Sequence, residues 1–219
     1  MATPSPSPSP SPEQPVRLVS PAEEPAARPP GSDPAMVGFP SFIVGAVTIG
    51  MVLIGVVPAT AVGASMPIVL AAAAGMFLAA IWAARIGESA SAGISTIVGS
   101  FLLSYALLVL GLIHNWYGIG LIAVASTQKM FVISWIVIVT LVVLMGLRMP
   151  TVFLLLFALV DVSLVLNLLG IIQSSANLTK AAGWGLMAVS AVVVYLFLST
   201  ASHATGGKEF PLGRPILHA

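Results

Sequence analysis

Hydrophobic residues occur along this chain in six long continuous runs, separated by short segments that contain charged residues, proline or glycine. Each run is long enough to cross a bilayer, because about 20 helical residues span about 30 Å. The runs do not alternate between apolar and polar residues, as the strands of a membrane β-barrel do. The pattern predicts an all-α integral membrane protein, a bundle of six transmembrane helices. The predicted spans cover residues 36–57, 67–84, 92–113, 129–147, 151–173 and 181–201.

The ends of the runs carry helix start and stop signals. Asp33, followed by a proline, suits an N-cap before the first run, and Pro58 suits the end of that run. The segment 116–127 is apolar but short for a span, and it begins with a Trp-Tyr pair. Since these rings favour the membrane–water boundary, the sequence predicts an interfacial segment there.

The first 33 residues have a different composition. A Ser-Pro repeat runs from Pro4 to Pro12, and further prolines follow among small polar and acidic residues. Such a segment cannot bury enough apolar surface to fold, so a disordered Pro/Ser-rich arm is predicted for residues 1–33. The arm has neither the basic start nor the apolar core of a signal peptide, so we expect the first span to remain in the mature protein. The six-helix domain is predicted at 34–203, followed by a cytoplasmic tail at 204–219.

Composition and charge agree with a membrane protein and exclude several other classes. The chain is 58% hydrophobic and 7% charged, which is too little charge to cover a soluble globule. A net charge of +1 gives no reason to expect a nucleic-acid partner. There is no cysteine, and the three histidines lie at or beyond the predicted span ends. Neither a metal site nor a cofactor is therefore expected, and the spans hold no trio of nucleophile, acid and base that would indicate an enzyme.

The distribution of basic residues predicts how the bundle is oriented. Of the eight lysines and arginines, only Lys129 and Lys180 lie on the side opposite the termini. The positive-inside rule then places both termini in the cytoplasm, with most weight on Arg85, Arg148 and Lys208. A multi-pass protein of the plasma (inner) membrane is expected.

Small residues recur every four positions on the second and third runs. This spacing lets helix backbones approach closely in lipid, and we interpret both stripes as helix contacts. The stripes comprise Ala71, Gly75, Ala79 and Ala83, and Ser91, Ser95 and Gly99.

Four short motifs occur in an order that is similar to that of a known family. They are Asp33-Pro34-Ala35 with Gly38, Gly99-Ser100-Phe101, Ala182-Gly183-Trp184 with Tyr195, and Phe210-Pro211-Leu212-Gly213. In this order they resemble the acetate uptake transporter (AceTr) family, the succinate-acetate permeases also called YaaH-type. The chain departs from the family pattern with Asp33 for Asn, Met36 for Pro, Val98 for Tyr and Leu102 for Trp.

The resemblance implies a transporter or channel for acetate and similar small monocarboxylates, with succinate as a further candidate. It also implies a homohexamer with a path through each protomer. In the family a hydrophobic constriction narrows the path, and its residues correspond by position to Phe42, Val98 and Phe157. Val98 would leave the constriction wider and without a hydroxyl group. Val193 corresponds to a position that affects which monocarboxylate passes. Further landmarks expected near the path are Pro34, Gly38, Gly99, Ser100, Trp184 and Tyr195.

Asp161 is the ionisable side chain that the sequence places at mid-membrane depth. An acid there costs about 2.5 to 3.5 kcal/mol, so it normally faces other helices or a water-filled path. It lies four residues after Phe157, so both side chains are expected to face the same cavity. One hypothesis is that Asp161 is neutral when buried and couples protons to acid uptake. The alternative is a structural aspartate that is hydrogen-bonded to Ser, Thr or Trp on a neighbouring helix.

No lysine or arginine lies inside a span, beyond Lys129 at the start of the fourth, to pair with a substrate carboxylate. A small acid is therefore expected to cross either protonated or held by hydroxyl and amide groups. The candidate groups are Ser41, Ser95, Ser104, Ser163 and Asn167. Two other functions stay open at this point: a channel for ammonia, ammonium or urea, and a non-transporting membrane scaffold whose Pro-rich arm recruits a partner.

Overall fold

The structure is a computed structural model that describes residues 33–217, without the side chain of Leu121. The predicted disordered arm therefore lies outside the described residues, apart from Asp33, as does the end of the tail. Within the described range there are six α-helices and no strand, and all six helices are long and apolar enough to cross a membrane. The helices are α1 Ala35–Ile54, α2 Val62–Arg85, α3 Ser89–Ile113, α4 Leu121–Gly146, α5 Thr151–Gln173 and α6 Ala176–Ala204.

The first helix shows how local chemistry sets the helix ends. The backbone N–H of Ala35 donates to the Asp33 carboxylate at 2.8 Å, so Asp33 satisfies a free donor at the start of α1. The helix ends at Gly55, whose φ of 88° is left-handed, and the Val56 N–H donates to the Met51 carbonyl at 3.0 Å. The predicted end at Pro58 is too late, because a glycine in this conformation closes the helix first.

Two other predicted boundaries are also corrected. Helix α2 begins at Val62 rather than at Pro67, and the proline lies inside the helix, which membrane helices tolerate. Helix α4 begins at Leu121 rather than at 129, so most of the expected interfacial segment belongs to this helix. Nothing between Leu121 and Lys129 stops a helix, and a lysine stem can lie along apolar surface while its charge stays at the boundary.

The helices form a ring in chain order, because each packs beside its neighbours in sequence and α6 returns to α1. The seam between α3 and α4 is the loosest in the ring. Alternating helix direction defines two ends of the bundle. We call the end with the start of α1 and the close of α6 the tail side, and the other end the far side.

Small residues lie where the helices approach most closely. Gly75 faces Ser41 across the α1–α2 contact, and a Cβ on Gly99 would lie 3.2 Å from the Cβ of Met76 across the α2–α3 contact. Both predicted stripes are thus at helix contacts, although Ala71, at the start of the first stripe, is exposed. The α1–α6 contact brings backbone against backbone, since a Cβ on Gly183 would lie 2.8 Å from the Gly50 carbonyl oxygen.

We expect Gly183→Ala to destabilise the protein by about 1 to 3 kcal/mol, because the added methyl group meets backbone that cannot move aside. The measurement is thermal unfolding of the purified protein in detergent. The matched control is Gly93→Ala on α3, where a Cβ would meet no atom within 4 Å. Alanine in an open helical position should be neutral or stabilise by up to about 1 kcal/mol. Equal melting temperatures for the two variants would contradict the close α1–α6 contact.

Candidate functional site: a path between two cavities

Two cavities lie inside the ring, one toward each end. The far-side cavity has a volume of about 310 Å³ and is lined mainly by α1, α3, α4 and α5. The tail-side cavity has a volume of about 400 Å³ and is lined by the starts of α1, α3 and α5 together with Met76 of α2. The two cavities follow one another along the axis of the bundle.

Phe42 and Val98 form the boundary between the cavities, because these two side chains line both. Phe157 lines the tail-side cavity only. Phe157 is 5% exposed and belongs to a buried apolar cluster between α4, α5 and α6. The three residues that the family resemblance assigned to a constriction therefore lie at or next to the boundary between the cavities.

Four aromatic rings form one wall of the far-side cavity. Phe101 and Tyr105 of α3 meet Phe131 and Trp135 of α4, and all four side chains line the cavity. The closest pair is Phe101 with Trp135, with ring centroids 5.3 Å apart in an edge-to-face arrangement. Such ring contacts stabilise the loose α3–α4 seam while keeping the two helix backbones apart.

Polar side chains are few in the far-side cavity. Ser163 and Asn167 lie one helical turn apart on α5, and Gln128 of α4 and Thr179 of α6 also contribute to the lining. Neither Asn167 nor Gln128 has a side-chain hydrogen-bond partner within residues 33–217. The sequence analysis named Ser163 and Asn167 but missed Gln128 and Thr179. Gln128 could have been recognised as an amide on a membrane-spanning helix. The sequence analysis began this span at residue 129, so Gln128 fell outside it.

The other hydroxyl groups proposed from the sequence have different positions. Ser95 is buried and lines the tail-side cavity. Ser41 and Ser104 line neither cavity and donate to carbonyl groups of their own helices, Val37 at 2.8 Å and Ser100 at 2.6 Å.

Asp161 is half-buried and lines neither cavity. Its carboxylate accepts a bond from the Thr140 hydroxyl of α4, with both oxygens at 3.3 Å, which is long for an O–H···O bond. Asp161 and Phe157 therefore do not face a common cavity as predicted. Four residues advance a helix by slightly more than one turn, and here this difference directs Phe157 inward and Asp161 toward α4.

Two further residues that were predicted for the path lie elsewhere. Val193 is fully buried in the same apolar cluster as Phe157 and lines neither cavity, so it belongs to the packing around Phe157. Trp184 is 63% exposed on the outside of α6. Sequence position alone could not reveal either orientation, because every face of these helices is apolar.

The landmarks at the start of α1 and near the middle of α3 are mainly structural. Gly38 lines the tail-side cavity, and a Cβ there would lie 3.3 Å from that of Ala79. Pro34 is fully buried, and Gly99 permits the α2–α3 contact described above. Ser100 is half-buried and its carbonyl accepts the bond from Ser104.

Tyr195 connects the sixth helix to the tail. Its hydroxyl group donates to the Pro211 carbonyl at 2.9 Å, and its ring lies 5.5 Å from that of Phe210. The tail also reaches α5, because the Val152 N–H donates to the Leu212 carbonyl at 3.2 Å. Two separate family landmarks are thus parts of one contact, which holds the tail against the helix that carries Phe157.

The described residues contain no cluster of His, Asp or Glu side chains that could hold a metal ion. Glu88 lines the tail-side cavity. None of the described residues that line the far-side cavity is charged. The arrangement is suited to passing a small solute and offers no set of groups for covalent chemistry.

Six helices long and apolar enough to span a membrane, arranged around two cavities that share an apolar boundary, define the class of protein as an integral membrane protein with internal space for a small solute. The sequence model of the GPR1/FUN34/yaaH family matches residues 18–209. The chain belongs to this family, an acetate transporter family, which confirms the resemblance drawn from the motifs. It is accordingly a membrane transport protein and not an enzyme. A search of curated proteins finds no matching sequence.

The same fold occurs in a solved structure, that of the bacterial acetate channel SatP. The two chains share 19% sequence identity and superpose with a TM-score of 0.72. The match covers 83% of this chain and 98% of that chain. It confirms the all-α, six-helix architecture predicted from the hydrophobic runs.

We expect Tyr195→Phe to loosen the tail, because it removes the hydroxyl that donates to Pro211 but keeps the ring. The loss of one hydrogen bond corresponds to about 1 kcal/mol, or about fivefold faster amide exchange at Phe210 and Val152. Hydrogen exchange of the purified protein measures this. Tyr117→Phe is the matched control, since that hydroxyl donates to Leu107 at 3.2 Å on the far side. Unchanged exchange in Tyr195→Phe would show that the bond does not hold the tail.

Proposed function

We propose that this protein carries acetate and similar small monocarboxylic acids across the membrane, by a path through each protomer. The observation that carries the proposal is the pair of cavities that meet at Phe42 and Val98, in a chain of an acetate transporter family. The structural similarity to the acetate channel SatP supports the same substrate class.

The lining of the path favours a substrate that crosses as the neutral acid. Among the described residues that line the far-side cavity, none is a lysine, arginine, aspartate or glutamate. The boundary residues Phe42 and Val98 are apolar. Moving an ion through such a boundary without a partner costs far more than moving its protonated form. Proton-linked uptake then follows, because each acid molecule brings its own proton. The uncharged lining of the far-side cavity also argues against a path for ammonium, which would need a carboxylate or a ring of carbonyl groups there.

The proposal also includes the membrane, the orientation of the chain in it and the oligomeric state. The count of basic residues supports a plasma-membrane protein with both termini in the cytoplasm. On that orientation the tail-side cavity faces the cytoplasm and the far-side cavity faces outward. We further propose a homohexamer, as the family resemblance implies, with succinate as a possible second substrate.

Uptake of labelled acetate into proteoliposomes tests the proposal. We expect uptake above that of protein-free vesicles, increased by an inward proton gradient and inhibited by propionate but not by ammonium. Uptake equal to that of protein-free vesicles would overturn the proposal. Inhibition by ammonium would instead support the channel for ammonia or ammonium. Deletion of residues 1–32 tests the scaffold alternative, and we expect it to leave uptake unchanged.

Filling the boundary between the cavities should block the path. We expect Val98→Trp to lower acetate uptake by at least about tenfold, equivalent to about 1.4 kcal/mol in the barrier, because the indole closes the space beside Phe42. The matched control is Val162→Trp on the outside of α5, where the valine is 55% exposed. Full uptake by the Val98 variant would show that the substrate does not pass this boundary.

Asp161 carries the second hypothesis from the sequence, that a buried acid couples protons to uptake. Its position outside both cavities and its bond to Thr140 support the structural alternative instead. We expect Asp161→Asn to keep acetate uptake and its pH dependence within about twofold of wild type, because an amide oxygen can still accept from Thr140. Loss of gradient-driven uptake in this variant would establish Asp161 as the coupling residue.

A further inference from the structure

Ser163 and Asn167 make an unusual pair in the wall of the far-side cavity. They lie four residues apart on α5, so their Cβ atoms are about 5 to 6 Å apart on one face of the helix. Ser163 is 3% exposed, and Gly185 of α6 leaves the space that its hydroxyl group occupies. Both side chains border the cavity, with Ser163 nearer the boundary at Phe42 and Val98.

The hydrogen-bonding capacity of the two side chains is complementary. The Ser163 hydroxyl donates its hydrogen to the Leu159 carbonyl at 2.7 Å, so its oxygen is left with lone pairs that can accept a hydrogen bond. The Asn167 amide has no partner within residues 33–217 and can donate N–H groups. One acceptor and one donor therefore belong to side chains one helical turn apart in the wall of the same cavity.

This arrangement matches a protonated carboxyl group and not a carboxylate. A protonated acid accepts through its carbonyl oxygen and donates through its O–H group. A carboxylate only accepts, so one of its oxygens would face the lone pairs of Ser163. The surrounding wall is largely aromatic and aliphatic, which further disfavours the anion.

Gln128, the other amide in the cavity wall, cannot take the place of either member of this pair. The bond between Thr140 and Asp161 sets the register of α4 against α5. From that bond Gln128 lies about 18 Å toward the far side and Asn167 about 9 Å, at 1.5 Å per residue. Gln128 is therefore about 9 Å too far along the axis to share one carboxyl group with Asn167.

We propose that Ser163 and Asn167 form a binding site that recognises the protonated form of a small monocarboxylic acid. The site rests on the proposed function and deepens it, because it names the two residues that select the protonated acid. The proton then enters with the substrate. Tyr105 is the titratable side chain among the described residues that line the far-side cavity, and Glu88 lines the tail-side cavity. Asp161, Lys129 and Lys180 on the adjoining helices line neither cavity.

The probe for this proposal is acetamide, which pairs a carbonyl acceptor with N–H donors as a protonated acid pairs its carbonyl with an O–H donor, but which never ionises in this range. Saturation-transfer NMR of the detergent-solubilised protein should show that acetamide binds equally at pH 6 and pH 8. To reach the same occupancy, acetate should need a total concentration about tenfold higher for each unit by which the pH rises. The reason is that the protonated fraction of an acid with a pKa of about 4 to 5 falls by that factor. Equal binding of acetate at both pH values, without binding of acetamide, would overturn the proposal.

Variants distinguish the loss of this binding site from a general effect on folding. Asn167→Leu should weaken the binding of both probes by about tenfold, since the acid loses its donor, and Ser163→Ala should weaken both for lack of an acceptor. Asn177→Leu, at an exposed position on α6 that lines neither cavity, should bind as wild type does. Unchanged binding in Asn167→Leu would exclude the site. Binding without any uptake in proteoliposomes would leave the site in place and overturn only the transport function.

Discussion

The close approach of helices at small residues is the constraint on which this structure depends. In lipid there is no hydrophobic drive to bring helices together, so packing must supply the attraction. Within the described chain a glycine lies at each tight seam of the ring, and no side chain larger than hydrogen fits there without displacing its neighbours. These glycines are Gly75 at α1–α2, Gly99 at α2–α3, Gly146 at α4–α5, Gly170 at α5–α6 and Gly183 at α1–α6.

The seam between α3 and α4 follows a different rule, and the far-side cavity lies beside it. Bulky rings hold these helices at a distance where small residues would have drawn them together. The same rings then form the cavity wall, so one structural feature closes the ring of helices and leaves space within it. Five tight seams keep that space open, because the remaining helices cannot move inward without overlap.

Most polar side chains in the spans are hydrogen-bonded within their own helix. Serine and threonine hydroxyls bond to carbonyl groups one turn earlier, which makes these residues compatible with lipid. Asn167 and Gln128 do not follow this pattern, and both border the far-side cavity. The few polar groups left available for a solute are therefore placed where a solute can reach them, and the wall around them stays apolar.

The sequence by itself determined the number and type of the helices and, through short motifs in a fixed order, the family. Long apolar runs have no other stable form in a bilayer, because every backbone polar group must be bonded within the segment. It also indicated Phe42, Val98 and Phe157, because their positions follow the motifs. Only the tertiary structure decided which way Asp161, Val193 and Trp184 face. In helices that are apolar all round, no periodic pattern marks the inner face, so packing against neighbours alone distinguishes the cavity wall from the outer surface.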